Sequence, residues 1–404
     1  MLINSDYRQV RDSLLAQIGT VGTEAVSLHE SAGRVLAQSI AAAAADVPSF
    51  DRSPYDGYAF RALDVAAASP ERPVTLQVID YIAAGDVPHT ALKPGTAVHL
   101  MTGAPVPEDA DAVLPFESTE FTENTVTIRS AVAAGSNVIR TGEDVRKGEI
   151  LCEAGVPVDA GLAGTLAGQG IFAPLVYKKP LVGVISTGSE LLQDEESPER
   201  GKIYNSNRYA LQIACADAGC RSIYIGTAQD TPGEIREMIL RALKCCDAVL
   251  LSGGVSVGDY DCTPEAMDRA GIRILARGLS LKPGMAGAYG IHEGIPVMAL
   301  SGNPAACMTA FYAVVLPVLN RLAGRRQVLP QEIRVRLPGD YSRKKQGTRL
   351  LRGKMDPAAV VQEVQLSERQ GNQMLHSFSG ANVFVEIPAG RELRKGDTAD
   401  AFVM

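Results

Sequence analysis

Short loops rich in glycine follow several apolar runs of strand length in the second half of the chain. One such run, from Leu181 to Ser186, is separated from the next by a segment with helical character. This alternation predicts a mostly parallel, doubly wound α/β sheet. The carboxyl ends of such strands meet at one edge, where ligands bind. The loops expected at that edge are Ser186-Thr187-Gly188-Ser189-Glu190, Ser252-Gly253-Gly254-Val255-Ser256-Val257-Gly258-Asp259-Tyr260-Asp261, Lys282-Pro283-Gly284 and Ser301-Gly302-Asn303-Pro304.

The rest of the chain predicts a multidomain α/β plus β protein. Its 404 residues exceed what a single core usually holds. Near the N-terminus, Asp6 is expected to cap a helix that carries Tyr7, Val10 and Leu14 on one face. The predicted organisation is a discontinuous N-terminal helical domain at 1–45 and 141–178, an inserted β domain at 46–140, the α/β domain at 179–326, and a small C-terminal β barrel at 327–404.

Composition narrows the class of protein. A net charge of -7 argues against a general nucleic-acid binder, whose surface is basic. We expect no membrane partner, because no apolar stretch reaches the roughly 18 residues that span a bilayer. The start of the chain lacks the pattern of a signal peptide, and the seven cysteines include no Cys-x-x-Cys. These features predict a cytoplasmic protein with reduced thiols.

The segment that begins at Ser252-Gly253-Gly254 has the outline of a phosphate-binding loop, although it is not a Walker motif. Ser256 and Asp261 strengthen this interpretation. Asp259 and Asp261 could hold Mg²⁺ or orient a water against a phosphoanhydride. The alternatives are an ordinary tight turn at the glycines and a helix cap at Asp261.

Two further loops of the predicted edge carry candidate side chains. Backbone N–H groups and Ser189 suit an anion or a ring edge, and Glu190 suits a metal or an amino group, although this loop could equally be a helix cap. Lys282 is a candidate oxyanion partner because of its place at the sheet edge, whereas most lysines are solvated. Arg349 and Arg352, which follow the basic stretch Arg343-Lys344-Lys345, most simply indicate a solvated face but could also bind a tetrahedral oxyanion.

Two dense turns stand out in the inserted β domain. One is Phe50-Asp51-Arg52-Ser53-Pro54-Tyr55-Asp56-Gly57-Tyr58, which combines carboxylates with aromatic rings, and the other is Met101-Thr102-Gly103-Ala104-Pro105. Both are compatible with ordinary loops, and their composition alone does not decide their role.

Taken together, these segments resemble the MoeA family, which includes the C-terminal domain of gephyrin. The resemblance covers nearly the whole chain and rests on several motifs in the right order. The matching segments are Phe50-Asp51-x-Ser53-x-x-Asp56-Gly57-Tyr58-Ala59, Met101-Thr102-Gly103-Ala104-Pro105, Gly142-Glu143-Asp144, Ser186-Thr187-Gly188-Ser189-Glu190-Leu191, Ser252-Gly253-Gly254-Val255-Ser256-Val257-Gly258 and Lys282-Pro283-Gly284.

The resemblance implies a molybdopterin molybdenumtransferase, a homodimer whose cleft combines the molybdopterin-binding α/β domain of one subunit with the N-terminal domains of the other. The implied substrates are adenylylated molybdopterin and molybdate, with Mg²⁺ or a similar cation as cofactor and AMP as product. Candidate partners are molybdopterin adenylyltransferase and molybdoenzyme apoproteins.

The resemblance also assigns roles by position. Ser256 and Asp261 would serve the cleavage step. The loops Thr187-Gly188-Ser189-Glu190 and Ser252-Gly253-Gly254 would bind the pterin nucleotide, and Asp261, Glu190 and Asp230 would hold the metal ion. Lys282 and Arg352 would hold molybdate, while Asp51, Thr102 and Asp144 would come from the partner's face.

The sequence departs from the family pattern where the oxyanion should bind. Met285 stands where a second lysine is usual, Gly278 where a lysine is frequent, and Ala306 and Asn372 each replace a serine. Arg277, Arg349 and Lys354 are candidates to compensate. Two alternatives to the active enzyme therefore stay open. One is a diverged pterin-nucleotide-binding or carrier paralogue, to which a tungstate-selective variant is related. The other is a non-enzymatic dimeric scaffold.

Overall fold

The computed structural model describes residues 1–192, 194–255, 262–337, 339–341, 347–356, 358 and 362–404. These residues form two compact units. The first unit comprises Met1–Gln38, Ala154–Asp159 and Ala173–Met404, and the second comprises Ser39–Glu153 and Ala160–Phe172.

A seven-stranded sheet forms the centre of the first unit, and it is mostly parallel, as predicted. Only the strand Gly287–His292 runs antiparallel to its neighbours. The order across the sheet is Leu2–Ser5, Arg273–Leu279, Gly287–His292, Ile295–Leu300, Ala248–Ser252, Leu181–Thr187 and Arg221–Ala228. The first strand of the chain thus joins the α/β sheet, although sequence analysis grouped it with 141–178. The four domain boundaries themselves stay predictions.

Helices cover both faces of this sheet, and the predicted cap at Asp6 is confirmed. The Asp6 carboxylate accepts from the Arg8 N–H, and Asn205 and Thr231 cap two later helices in the same way. Alternate strand residues feed two separate cores, so that Val184 packs on one face and Ile185 on the other. The helices are Tyr7–Leu15, Ser206–Asp217, Pro232–Leu243, Thr263–Arg269 and a continuous α–π–α segment made of Pro304–Ala310, Phe311–Val315 and Leu316–Leu322.

The segment Pro304–Leu322 corrects one expectation. Its 19 residues are long and apolar enough to cross a membrane by length and composition, which contradicts the expectation that no apolar stretch reaches this length. In the folded unit 78% of its most apolar window is buried, which is typical of a core helix.

A small β barrel completes the first unit, as predicted. The bridge between Arg336 and Glu363 links its first strand to the segment that precedes Val364–Leu366 and closes the ring. Its strands are Glu332–Arg336, Thr348–Met355, Val364–Leu366, Val383–Ile387 and Thr398–Val403, and Leu281–Lys282 adds to the edge of Thr348–Met355. Short pairs outside these sheets are Thr23–Ala25 with Leu175–Tyr177 and Leu191–Leu192 with Ile203–Tyr204, and a 3₁₀ turn spans Leu375–Phe378.

The second unit is built on a six-stranded sheet, which agrees with the predicted inserted β domain. Its order is Ala112–Pro115, Gly57–Phe60, Thr96–Leu100, Val74–Ile82, Thr125–Ile128 and Glu120–Phe121. The same unit contains the pair Ile40–Ala41 with Ile150–Cys152, the 3₁₀ turns Ala62–Val65 and Phe116–Ser118, and the helix Ala160–Gly168.

Candidate functional site

A cleft of about 650 Å³ lies at the carboxyl edge of the seven-stranded sheet. The loops after three parallel strands meet there, because Leu181–Thr187, Ala248–Ser252 and Ile295–Leu300 are neighbours in one sheet. Its lining residues are Thr187, Gly188, Glu190, Leu191, Ile203, Tyr204, Asn205, Ser206, Asn207, Asp230, Ser252, Gly253, Gly254, Val255, Ser301, Gly302, Asn303, Pro304 and Gln373.

Glycine backbone forms part of the lining of this cleft. Gly253 has a φ of +108°, and a Cβ there would collide with the carbonyl oxygen of Thr187. A Cβ on Gly302 would come within 3.5 Å of the Gly253 Cα, and one on Gly254 within 2.5 Å of the Thr263 Oγ1. Side chains at Gly253 and Gly254 would therefore displace their neighbours, whereas a Cβ on Gly302 would make an ordinary contact. The absence of side chains at all three glycines leaves backbone that an anionic group can approach.

Asn205 and Asn207, which sequence reasoning missed as site residues, join the helix Ser206–Asp217 to the strand ends. Asn205 Nδ2 donates to Ser186 Oγ at 2.8 Å, and Asn207 Nδ2 donates to Ser252 Oγ at 2.7 Å. The Asn207 Oδ1 and the Thr187 Oγ1 are buried and have no hydrogen-bond partner among the described residues. The available signal was the pair of asparagines at the start of the helix Ser206–Asp217.

The acidic candidates Glu190 and Asp230 line the same cleft. A Cβ on Gly188 would lie 2.5 Å from the Glu190 Oε2, which places this carboxylate over the loop. The Ser189 N–H donates to Asp230 Oδ2 at 3.2 Å. Carboxylate oxygens are the ligands that Mg²⁺ prefers, so these two residues fit such an ion. The described residues contain no convergent group of three His, Cys, Asp or Glu side chains.

The predicted cleavage residues Ser256 and Asp261 lie outside the described residues. The structure does describe the residues on either side of 256–261. The Thr263 hydroxyl donates to the Gly253 carbonyl at 3.2 Å, and the Thr263 N–H donates to the Gly254 carbonyl at 3.1 Å. These bonds hold Thr263 against Gly253 and Gly254.

Arg352 is fully buried in the first unit, so the expectation of a solvated face is wrong for this residue. Its Nε donates to Ser377 Oγ at 3.0 Å, and its Nη2 lies 3.4 Å from the carbonyl oxygens of Arg369 and Gly371. The Nη1 has no partner within the described part of the chain. Burial, followed by the like charge of Arg349, lowers the pKa of Arg352 to about 10. A buried arginine whose guanidinium contacts only a hydroxyl and two carbonyl oxygens among the described residues is a strong candidate to bind an anion.

Lys282 lies beside Arg349 in the sheet, where the two residues are paired in register. A Cβ on Gly284, in the turn after Lys282, would lie 3.3 Å from the Ala306 carbonyl oxygen. The turn is therefore packed against the first part of the helix that begins at Pro304. Arg349 is buried as well, so the solvated-face interpretation is also wrong there, while Arg343-Lys344-Lys345 lie outside the described residues.

The structure shows the exposure and contacts of each residue that departs from the family pattern. The Met285 side chain is 51% exposed, and Ala306 is buried in the helix. The Asn372 carbonyl accepts from the N–H groups of Ala305 and Ala306, at 2.9 and 3.2 Å. A Cβ on Gly278 would collide with the amide of Asn4. Of the candidates to compensate, Arg349 is buried beside Lys282, whereas Arg277 and Lys354 are exposed.

Asp51, Thr102 and Asp144 belong to adjoining loops of the second unit. Arg52 bridges to both Pro105 and Ile139, which holds these loops side by side. The Asp51 carboxylate accepts from Arg140 at 2.6 Å and from the Thr141 N–H and hydroxyl at 2.7 and 2.9 Å. Burial acts to raise the pKa of Asp51, but these bonds outweigh it and hold the pKa below its ordinary value.

Thr102 forms a second carboxylate pair in this loop cluster. Its hydroxyl and N–H both donate to Asp56 Oδ1, at 2.7 and 2.6 Å, and keep the pKa of Asp56 below its ordinary value. The Asp144 side chain is exposed, and its N–H donates to the Val47 carbonyl. The second unit therefore presents a cluster of carboxylates in which Asp51 and Asp56 are held in the ionised form.

Fold and cleft define a class: a multidomain protein in which a doubly wound α/β domain with a cleft lined partly by glycine backbone is followed by a small β barrel. Comparison with known families gives the same architecture. Residues 5–170 match the MoeA N-terminal region (domain I and II), 183–321 a probable molybdopterin binding domain, and 334–403 the MoeA C-terminal region (domain IV).

Individual relatives span almost the whole chain. Molybdopterin molybdenumtransferase from Staphylococcus epidermidis is 35% identical over 379 residues, which are 94% of this chain and 90% of the relative. The protein of that name from Staphylococcus aureus is 34% identical, over 96% of this chain and 92% of the relative. The molybdopterin biosynthesis MoeA protein of Pyrococcus horikosii superposes with a TM-score of 0.84 at 30% identity, with 98% of each chain covered. The chain belongs to the MoeA family.

Proposed function

We propose that this protein is a molybdopterin molybdenumtransferase. It takes adenylylated molybdopterin and molybdate. Water adds across the phosphoanhydride to release AMP, and the two dithiolene sulfurs replace oxygen ligands of molybdate, which take up protons and leave as water. One observation carries the proposal: a single short segment contacts both the cleft and the buried cation. Gln373 lines the cleft, and the Gly371 carbonyl lies 3.4 Å from the Arg352 Nη2. A reaction that joins a pterin nucleotide to an oxyanion needs two such sites side by side.

The cleft residues have complementary roles in this proposal. The backbone around Gly253 and Gly302 receives the phosphate-bearing part of the substrate, because N–H groups and the absence of side chains suit an anion. Glu190 and Asp230, together with Asp261, hold Mg²⁺, which offsets charge on the phosphoanhydride. Ser256 and Asp261 orient the groups that react in the cleavage step.

Arg352 and Lys282 hold molybdate. A tetrahedral dianion gains most from fixed cations in a buried setting, where electrostatic interactions are screened little. A protein that preferred tungstate, or that bound the pterin nucleotide without turnover, would use the same cleft with a different oxyanion pocket. Met285, Ala306 and Asn372 are the residues that favour these alternatives.

The test is incubation of the purified protein with adenylylated molybdopterin, Mg²⁺ and either molybdate or tungstate. We expect AMP release that depends on molybdate, together with cofactor that reconstitutes a molybdoenzyme apoprotein. Sulfate in place of molybdate, and removal of Mg²⁺ by a chelator, are the controls. Tight binding without AMP release under either oxyanion would contradict the enzyme and favour the carrier.

The proposal includes a homodimer in which Asp51, Thr102 and Asp144 act at the cleft of the partner subunit. It is tested by mixing two inactive variants, Asp51→Ala and Lys282→Ala. In mixed dimers one of the two sites is intact, so random exchange should restore about a quarter of the wild-type activity. If every site is built from one chain, the mixture stays inactive. The proposal further assigns the protein to the cytoplasm, with molybdopterin adenylyltransferase as donor and a molybdoenzyme apoprotein as acceptor.

A further inference from the structure

A loop of the barrel, residues 367–379, packs around Arg352, and we call this segment the strap. Arg352 lies one residue beyond the point where Thr348–Met355 stops pairing with Val364–Leu366, since the last pair is Gly353 with Leu366. On its other edge Arg352 is paired with Phe384. At this edge of the strand the Arg352 carbonyl accepts from the Ser367 N–H at 2.9 Å, so the strand lies directly against the beginning of the strap.

The side-chain amide of Gln370 adds two further hydrogen bonds to the Arg352 backbone. Its Oε1 accepts from the Arg352 N–H at 3.1 Å, and its Nε2 donates to the Arg352 carbonyl at 2.8 Å. The Nε2 also donates to the Ser367 carbonyl at 2.9 Å. Because carbonyl oxygens only accept, these contacts fix which end of the amide is the nitrogen. Gln370 thus clamps both backbone groups of Arg352.

The guanidinium itself is held less completely. Ser377 Oγ, which accepts from the Arg352 Nε, donates in turn to the Met374 carbonyl at 2.5 Å. The two contacts of the Nη2 are long for a charged donor at 3.4 Å, and the Nη1 is without a partner in the described residues. A buried cation in this state has unused capacity to bind an acceptor.

We propose that Gln370 is a positioning residue for the oxyanion. By fixing the Arg352 backbone it sets where the guanidinium presents its nitrogens, and a tetrahedral oxyanion replaces the strap carbonyls of Arg369 and Gly371 as their acceptor. Since Arg352 is fully buried, binding requires these two peptides to shift while the Gln370 clamp stays in place. The inference rests on the proposed function, in which Arg352 binds the oxyanion.

The experiment measures the affinity of the full-length protein for two separate ligands, molybdate and AMP, by calorimetric titration. Gln370→Met keeps the length of the side chain and removes its hydrogen-bonding groups. We expect it to weaken molybdate binding roughly tenfold or more, since several hydrogen bonds that orient a charged group are lost, while AMP affinity changes less than about twofold. Gln365→Met, an exposed glutamine on the adjacent strand, is the matched control and should leave both affinities unchanged.

A conservative variant separates positioning from folding. Gln370→Asn keeps the same amide on a side chain one methylene shorter, and we expect intermediate molybdate affinity. If Gln370→Met does not fold, the molybdate and AMP affinities of Gln370→Asn are compared with those of the wild type instead. The inference is overturned if folded Gln370→Met binds molybdate like the wild type, or if the two affinities fall in parallel in both variants. Retained molybdate binding in Arg352→Met would instead overturn the proposed oxyanion role itself.

Discussion

Asn207 donates a hydrogen bond from its Nδ2 to the carbonyl oxygen of Gly302 at 2.8 Å. This bond joins the helix Ser206–Asp217 to the loop that follows the strand Ile295–Leu300. Because the carbonyl can only accept, the amide nitrogen must point toward Gly302, and the Asn207 Oδ1 is left facing the other way. That oxygen is buried and without a partner in the ranges that the structure describes. The orientation of Asn207 is therefore dictated by the loop and not by the helix that carries it.

This geometry makes Asn207→Asp a sharp test of the cleft. A carboxylate cannot donate to Gly302, and its charge would be buried against a carbonyl, so we expect a loss of about 1–3 kcal/mol in stability. We also expect AMP affinity to fall about tenfold or more, because the Gly302 loop loses its anchor. Titration calorimetry and thermal unfolding measure the two effects. Asn124→Asp, at an exposed turn, is the control, and equal behaviour of the two variants would contradict the assignment.

A second prediction concerns backbone at the glycines. Gly253→Ala adds a Cβ in a left-handed conformation against the Thr187 carbonyl, so it should destabilise the protein by more than about 1 kcal/mol and abolish AMP binding. Gly164→Ala is its counterpart, because Gly164 lies inside the helix Ala160–Gly168 and a Cβ there meets nothing within 4 Å. This variant should stabilise its helix by about 0.5–1 kcal/mol. Calorimetric melting of both variants measures the contrast. A shift of both melting temperatures in the same direction would contradict the prediction.

Much of the fold could be predicted because local pattern and tertiary structure agree. Apolar runs such as Ala248–Ser252 are buried throughout, and the helix Pro232–Leu243 begins at a capping threonine followed by proline, which is a typical helix start. The strand Gly287–His292 was missed, because two glycines and a histidine weaken its strand pattern. Leu2–Ser5 was missed as a strand because it has only four residues and lies at the edge of the sheet, where none of them is fully buried.

The candidate site was predictable only in part. Glycines after strands mark the cleft, since few other residues tolerate the conformation of Gly253. The contacts of Asn207 and Gln370 depend on residues 95 and 18 positions away, to which local sequence gives no guide. For Arg352 the sequence suggested exposure, because arginine is rarely buried, and only the packing of the strap around it reveals the opposite.

The burial of Arg352 predicts that this residue lowers the stability of the folded protein while it makes molybdate binding possible. A lowered pKa means that the folded environment disfavours the cation, and hence Arg352→Met should unfold at a temperature equal to or above that of the wild type, a gain on the order of 1 kcal/mol. Saturating molybdate should stabilise only the wild type, by about 2.7 kcal/mol at one hundred times its Kd. Thermal melts with and without molybdate measure both effects. Equal stabilisation of the variant by molybdate would rule out Arg352 as the binding cation.

Two lysine substitutions at the altered oxyanion pocket should behave differently. Met285 is 51% exposed, so Met285→Lys is accommodated and adds a cation, and we expect molybdate affinity to rise about tenfold. Gly278 has a φ of +73° and a Cβ there would strike the Asn4 side chain, so Gly278→Lys should destabilise the protein instead. The double variant Asn4→Gly with Gly278→Lys should recover part of that loss. Calorimetric titration and melting follow each step, and a stable Gly278→Lys single variant would contradict the role of Asn4.

The pairing of Asp51 predicts how the second unit responds to acid. Because its folded pKa is depressed, the carboxylate contributes stability that is present above its unfolded pKa of about 3.9 and is lost as pH falls through the folded value. Asp51→Asn cannot form the ion pair with Arg140, so it should melt at a lower temperature than the wild type at neutral pH, and the difference should shrink below pH of about 4. Melting curves from acid to neutral pH measure this convergence, with the exposed Asp109→Asn as control. A constant difference across that range would show that the Asp51 charge contributes nothing and that only the shape of the loop matters.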